Sequence, residues 1–207
     1  MIGIIDYGSG NVNAIKRIYK NLSIETKIIN KPIHFNGIKS IILPGVGNFD
    51  TVMKKLNKSG LRDKLDQFVL EKKIPILGIC VGFQIMAMSS EEGLEPGLGW
   101  LDADILKFNF KGFDEDFLFT PHMGWNNVYL AKNNPIFENV DYDQGFYFVH
   151  SYYFQPNRQM DKIGITNYGI DFVSTLMKDN IFGTQFHPEK SHQNGINLLK
   201  SFSKINA

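Results

Sequence analysis

Ile74-Pro75-Ile76-Leu77-Gly78-Ile79-Cys80-Val81-Gly82-Phe83-Gln84 changes character at one residue. Up to Ile79 the run is short and apolar, as in a buried strand. From Val81 to Met88 the pattern is that of a helix beginning. Cys80, the only cysteine in the chain, stands at the junction. Gly78 and Gly82 let the backbone turn tightly and let a substrate come close. A thiol on such a turn is exposed, backed by a helix N-terminus and flanked by backbone N–H groups. All three favour a thiolate nucleophile and an oxyanion beside it. The plainer reading is a small core hydrophobe.

Outward from this turn the first half of the chain alternates strands and helices. Ile2–Ile5, Thr26–Ile29 and Ser40–Leu43 read as short buried strands. Helical patterns cover Asn11–Asn21, Phe49–Asn57 and Leu61–Lys72. This order predicts an α/β fold: an open, mostly parallel central sheet with flanking helices. From about Trp100 to Gln185 short strands take over, with Phe146–Val149 and Phe172–Met177 the clearest, so a smaller antiparallel region is expected. Asn109–Thr120 reads as a loop, and Lys190–Ile205 as a closing helix that contains Gly195. No repeat or linker divides residues 1–207, which predicts a single domain. In open parallel sheets the site lies off the carboxyl ends of the strands, where Cys80 would stand.

A second motif lies near the other end: Gly183-Thr184-Gln185-Phe186-His187-Pro188-Glu189-Lys190-Ser191. On extended backbone, residues two apart point the same way, so His187 and Glu189 can meet. A carboxylate beside an imidazole fixes its tautomer and stabilises its charged form. Alone, a His-Pro-Glu turn also fits an ordinary surface loop. With Cys80 it completes a set of nucleophile, base and orienting acid.

Composition narrows the classes. The chain has 207 residues, 43% hydrophobic and 21% charged, ordinary for a globular domain. A net charge of +1 gives no general attraction to nucleic acid or to an anionic membrane. No apolar run approaches a membrane span, and Met1–Asp6 lacks a signal-peptide layout. One cysteine makes no internal disulfide, so a cytoplasmic home is expected. The five histidines show no metal-ligand spacing and no Gly-x-x-x-x-Gly-Lys loop occurs, so neither a metal nor another cofactor is expected.

Taken together, the motifs resemble the class I, or triad, glutamine amidotransferases. Asp6-Tyr7-Gly8-Ser9-Gly10-Asn11, Leu43-Pro44-Gly45-Val46-Gly47, the Cys80 elbow and Gln185–Ser191 carry the broad match. Pro121-His122-Met123-Gly124-Trp125-Asn126 and Phe146-Tyr147-Phe148-Val149-His150-Ser151-Tyr152-Tyr153 are narrower. They resemble the glutaminase subunits of imidazole glycerol phosphate synthases, and the match runs along essentially the whole chain. Phe119-Thr120 before Pro121, and Val81 and Phe83 in the elbow, depart from that family's usual residues.

The resemblance implies a flavodoxin-like fold and hydrolysis of L-glutamine by Cys80, His187 and Glu189. It implies oxyanion donors at Val81 and Val46 and substrate contacts at Gly47, Gln84, Ser151 and Tyr152. It further implies a (β/α)₈-barrel cyclase partner facing Asn11, Trp125, Tyr147 and Lys190, in histidine biosynthesis. Core placement of Trp125 and Tyr147 is an equal possibility for aromatics in strands. A diverged copy that feeds ammonia to a sugar amidotransferase of surface glycans is the alternative. His34 and His192 have no partner pattern and are expected in solvent, while His150 is expected to be structural or to line the pocket.

Overall fold

The computed structural model describes residues 1–112, 118–131, 133–141, 143–157 and 162–205. Its parallel strands are β1 (Ile2–Ile5), β2 (Thr26–Ile29), β3 (Ser40–Gly45) and β4 (Ile76–Cys80). They alternate with helices α1 (Val12–Asn21), α2 (Phe49–Lys58) and α3 (Arg62–Asp66). After β4 come α4 (Val81–Gln84) and the strands β5 (Ser89–Ser90), β6 (Ala103–Lys107), β7 (His122–Asn126) and β8 (Tyr129–Leu130). The chain closes through β9 (Phe146–His150), β10 (Tyr152–Pro156), β11 (Lys162–Tyr168), β12 (Ile170–Lys178), β13 (Ile181–Thr184) and α5 (His192–Phe202).

The main sheet runs β2-β1-β3-β4-β13-β12-β10-β6-β5, with β11 and β8 branching from β12. Its first five strands are parallel, as strand–helix alternation requires. From β13 through β12 and β10 to β6 the pairing is antiparallel, so the expected antiparallel region continues the same sheet, and the short β5 joins β6 in parallel at its end. β7 and β9 form a separate antiparallel ribbon. β1, β3, β4 and β13 are buried along their whole length, which explains their near-continuous apolar sequence. Among the described residues no helix is long and apolar enough to cross a membrane.

Register positions the site. Gly45 of β3 lies opposite Cys80 of β4, and Thr184 of β13 lies opposite Ile79. The residues that follow these strand ends, Val46, Val81 and Gln185 to His187, therefore gather at the carboxyl ends of the central parallel strands. The elbow fits against β3 because both sides are glycine: a methyl group on Gly82 would overlap the Leu43 carbonyl oxygen, and one on Gly45 would overlap the Gly82 nitrogen.

Three helices differ from the expected pattern. α4 stops at Gln84 because the loop at Leu98–Leu101 takes the carbonyls a longer helix would use: Leu98 N–H donates to Ile85 O at 2.7 Å, and Trp100 N–H to Met86 O at 3.0 Å. The expected Leu61–Lys72 helix changes to a π-helical turn at Gln67–Glu71, closed by Lys72 N–H to Gln67 O at 3.1 Å. The closing helix is split into a 3₁₀ turn, Pro188–Lys190, and α5. Gly195 belongs inside α5 because a Cβ there would collide with the Pro188 carbonyl. Of the expected Asn109–Thr120 loop, residues 113–117 lie outside the described residues.

Phe83 anchors the elbow from below. Its ring stacks on Phe154 at 4.4 Å and presses on Gly183, where an added Cβ would overlap the ring itself. We expect Gly183→Ala to destabilise the fold by about 1–3 kcal/mol, the usual cost of overpacking. Urea unfolding measures this, and an unchanged midpoint would refute the packing.

Candidate active site

Cys80 adopts φ 52° and ψ −114°, a left-handed conformation that non-glycine residues rarely take. This turn swings the side chain away from the sheet and into a cavity. The thiol is less exposed than the sequence suggests, since the residue keeps only 3% of its surface. The Val149 carbonyl lies 3.9 Å from Sγ, and Gln185 Nε2 donates toward Sγ at 3.7 Å.

His187 immediately precedes the 3₁₀ turn that follows β13 and Glu189 lies within it, and both side chains are buried. His187 Nδ1 and Glu189 Oε1 are 2.9 Å apart. A carboxylate only accepts, so Nδ1 carries the proton and Nε2 is left for the thiol. Burial alone would lower the His187 pKa. The charge and hydrogen bond of the Cys80 sulfur, followed by those of Glu189, outweigh it and raise the pKa. For Glu189 burial pulls upward, but the bonds from His187 and Asn11 win and lower its pKa. The structure thus brings all three sequence-predicted groups together.

A cavity of about 390 Å³ opens over the thiol. Val46, Gly47, Val81, Gln84, Ser151, Tyr152 and Lys190 line it with Cys80 and His187, as do Glu92, Pro121, Val149 and His150. Gln84 contributes in an unexpected way: its Nε2 donates to Tyr152 O at 2.9 Å and to Gln185 Oε1 at 3.0 Å. With both amide hydrogens engaged, it braces the pocket wall and offers only its carbonyl oxygen. Glu92, held by Phe49 N–H at 2.8 Å, brings an acidic group that the sequence reading passed over.

Val46 also departs from expectation. Its N–H donates to Ser9 Oγ at 3.0 Å, while the Ser9 hydroxyl donates to Val46 O at 2.8 Å. The amide expected to meet an oxyanion therefore has another partner here. Asn11, expected at a partner surface, donates through Nδ2 to Glu189 Oε1 at 2.8 Å. Trp125 and Tyr147 lie at the surface beside the pocket, Trp125 47% exposed and Tyr147 half-buried, with the Lys190 ammonium 5.5 Å from the Tyr147 ring. His192 is exposed, as expected, and its ring stacks on Trp125 at 5.1 Å. No group of three or more metal-ligating side chains gathers among the described residues.

Residues 3–205 match the family model for class I glutamine amidotransferases. The chain belongs to that family. The subunit HisH of imidazole glycerol phosphate synthase from Leptospira borgpetersenii is 48% identical over 99% of this chain and all of its own length. The HisH proteins of Leptospira interrogans and Bdellovibrio bacteriovorus are 46% and 43% identical with the same coverage. Relatives of this identity and coverage make the chain a member of the HisH group within the amidotransferases. Among solved structures, a glutamine amidotransferase superposes with a TM-score of 0.70 at 20% identity, covering 98% of each chain. PurLQS from Thermotoga maritima gives 0.71 at 16%, covering 98% of this chain and 96% of its own. These two likenesses speak to the fold alone.

An imidazole pair adjoins the cavity, with His122 Nδ1 3.0 Å from His150 Nε2, and His150 itself lines the wall. Burial pushes the His122 pKa down to about 4. Burial, opposed by a hydrogen bond to the Tyr152 carbonyl and aided by the charges of His122 and His187, pushes His150 down to about 3. Both rings bind their protons more weakly folded than unfolded. Their contribution to stability is therefore complete above the ordinary value of 6.5 and is lost as pH falls toward 4. We expect the unfolding free energy to decline over that window, and less steeply in a His122→Asn chain. Equal slopes in urea titrations at stepped pH would contradict this.

Proposed function

We propose that this chain hydrolyses L-glutamine to L-glutamate and ammonia through Cys80, His187 and Glu189, and passes the ammonia to a (β/α)₈-barrel cyclase subunit. The reading is carried by one observation: a thiol on a left-handed strand-to-helix turn, beside an imidazole bonded to a buried carboxylate. The Cys80 proton moves to His187 Nε2 as sulfur attacks the carboxamide carbon. Collapse of the tetrahedral intermediate expels ammonia, which takes a proton from His187 and leaves a thioester. Water, deprotonated by His187, opens the thioester through a second tetrahedral intermediate. Glu189 holds the ring and offsets its charge, and Asn11 holds Glu189. The backbone around Gly47, Ser151 and Tyr152 receives the amino-acid head, with the Glu92 carboxylate facing its ammonium.

Free ammonia protonates and diffuses away, so its release is coupled to an acceptor. Full-length relatives named as subunits of imidazole glycerol phosphate synthase support the histidine-pathway cyclase as that acceptor over the glycan-modifying alternative. In that pathway the ammonia ends in imidazole glycerol phosphate, with an aminoimidazole carboxamide ribonucleotide as coproduct. The surface formed by Trp125, Tyr147 and Lys190, next to the cavity mouth, is where we place the cyclase. We read residues 1–207 as one amidotransferase domain working without a cofactor in the reducing cytoplasm.

The oxyanions need two donors, and the proposed pair is Val81 N–H and Val46 N–H. While Ser9 holds Val46, the second is missing. Loss of one such donor costs roughly 10²- to 10³-fold in turnover, so the chain alone should be slow. Ser9→Ala removes the competing acceptor and should raise partner-free ammonia release, by up to about 10²-fold. Cys80→Ala should release none. Ammonia from the Cys80→Ala chain would overturn the mechanism, and an unchanged rate in the Ser9→Ala chain would overturn the role given to Ser9.

A further inference from the structure

The β7–β9 ribbon has two unlike faces. One carries Met123, Trp125 and Tyr147 at the surface. The other carries His122 and His150, direct cross-strand neighbours, both buried. Their hydrogen-bond directions are fixed by the groups at each end. The Tyr152 carbonyl, 2.8 Å from His150 Nδ1, only accepts, so His150 Nδ1 is protonated and its Nε2 is bare. His150 Nε2 must then accept from His122 Nδ1 at 3.0 Å. That leaves His122 Nε2 bare, to accept from Asn126 Nδ2 at 3.2 Å. Both imidazoles are neutral and in the Nδ1–H tautomer. A proton added to His150 Nε2 would set two donors against each other and break the link.

This chain ends on a carbonyl of the pocket wall. Tyr152 O accepts from His150 and also from Gln84, whose amide continues to Gln185 and so to the Cys80 sulfur. Three residues earlier, at the end of β9, the Val149 carbonyl faces the thiol. We propose that His122 and His150 are positioning residues which hold the Val149–Tyr152 segment at the height glutamine needs, through a one-way row of hydrogen bonds. Neither ring is assigned a proton transfer with substrate. Aromatic side chains enclose the pair, with Tyr168 stacked on His122 at 4.0 Å and Phe148 at 4.8 Å. The titratable groups that face it are Tyr168 on β11, Tyr153 on β10 beyond Phe108, and His187 after β13. This inference rests on the glutaminase reading.

Two variants and one spectrum test it in the full chain, with and without the cyclase subunit. His122→Phe keeps the ring stacking and removes the donor to His150; His122→Asn returns a donor at the Nδ1 position. We expect His122→Phe to raise KM for glutamine by about five- to tenfold, the size of one lost hydrogen bond, with kcat changed less than threefold. His122→Asn should recover most of the loss. Equal KM values in all three chains would overturn the proposal, as would a loss in His122→Phe confined to kcat. Nitrogen-15 imidazole spectra of the unmodified chain at pH 7 should show both rings neutral with Nδ1 protonated. Either ring in the Nε2–H form or charged would overturn it without any variant. If the unmodified chain and cyclase together release no ammonia, the glutaminase reading fails instead, whatever the spectrum shows.

Discussion

The backbone contact between Gly82 of the elbow and the end of β3 governs the rest of this structure. There is no room for a side chain on either surface, since a Cβ on Gly45 would meet the main chain of α4 and one on Gly82 the main chain of β3. Closeness of this kind lets the chain leave β4 through a left-handed residue, at a cost of roughly 1–3 kcal/mol. The buried sheet and the Phe83 ring beneath it hold that strain in place. Relaxing the turn would return Cys80 to ordinary strand geometry and turn its thiol away from the cavity. The same contact brings the peptide after Gly45 beside the peptide after Cys80, so the proposed nucleophile and the proposed oxyanion donors share one origin.

A single loop after β1 then touches each functional part. Tyr7 donates its hydroxyl to Pro44 O at 2.6 Å, Ser9 clasps Val46, and Asn11 bonds Glu189. Residues 7–11 therefore reach the Pro44–Val46 segment and Glu189 from one short stretch. Under the proposed mechanism, a movement of this loop would alter donor supply and base orientation together. The loop leads into α1, and the β7–β9 ribbon meets the same segment through His187 N–H donating to Tyr147 O at 2.9 Å. His187 and Glu189 thus each bond to a different neighbouring element, of which one also presents aromatic surface.

The sequence made the parallel half of the fold legible, because fully buried strands are written as unbroken apolar runs and the helices between them as amphipathic ones. Cys80, His187 and Glu189 were legible for a different reason: scarce residue types stand at turns whose geometry the neighbouring glycines and proline reveal. What escaped the reading depends on contacts between distant residues. Ser9 and Val46 are 37 positions apart, and nothing local in either says that one hydroxyl will take both polar groups of the other's peptide. The early end of α4 is decided by residues 98–101, far along the chain. His150 reads as structural or pocket-lining and His122 only as part of a motif, and their pairing emerges once the ribbon's register sets them side by side. Glu92 carries no motif, and only the folded cavity wall reveals it.

All of this rests on a sulfur atom that a strained turn delivers to a cavity beside an imidazole. The most direct measurement is covalent trapping with an electrophilic glutamine analogue, followed by peptide mass mapping. One adduct on Cys80, formed more slowly in excess glutamine and strongly slowed by His187→Ala, is the result this account requires. An unmodified Cys80, or an adduct whose rate ignores both glutamine and His187, would contradict it.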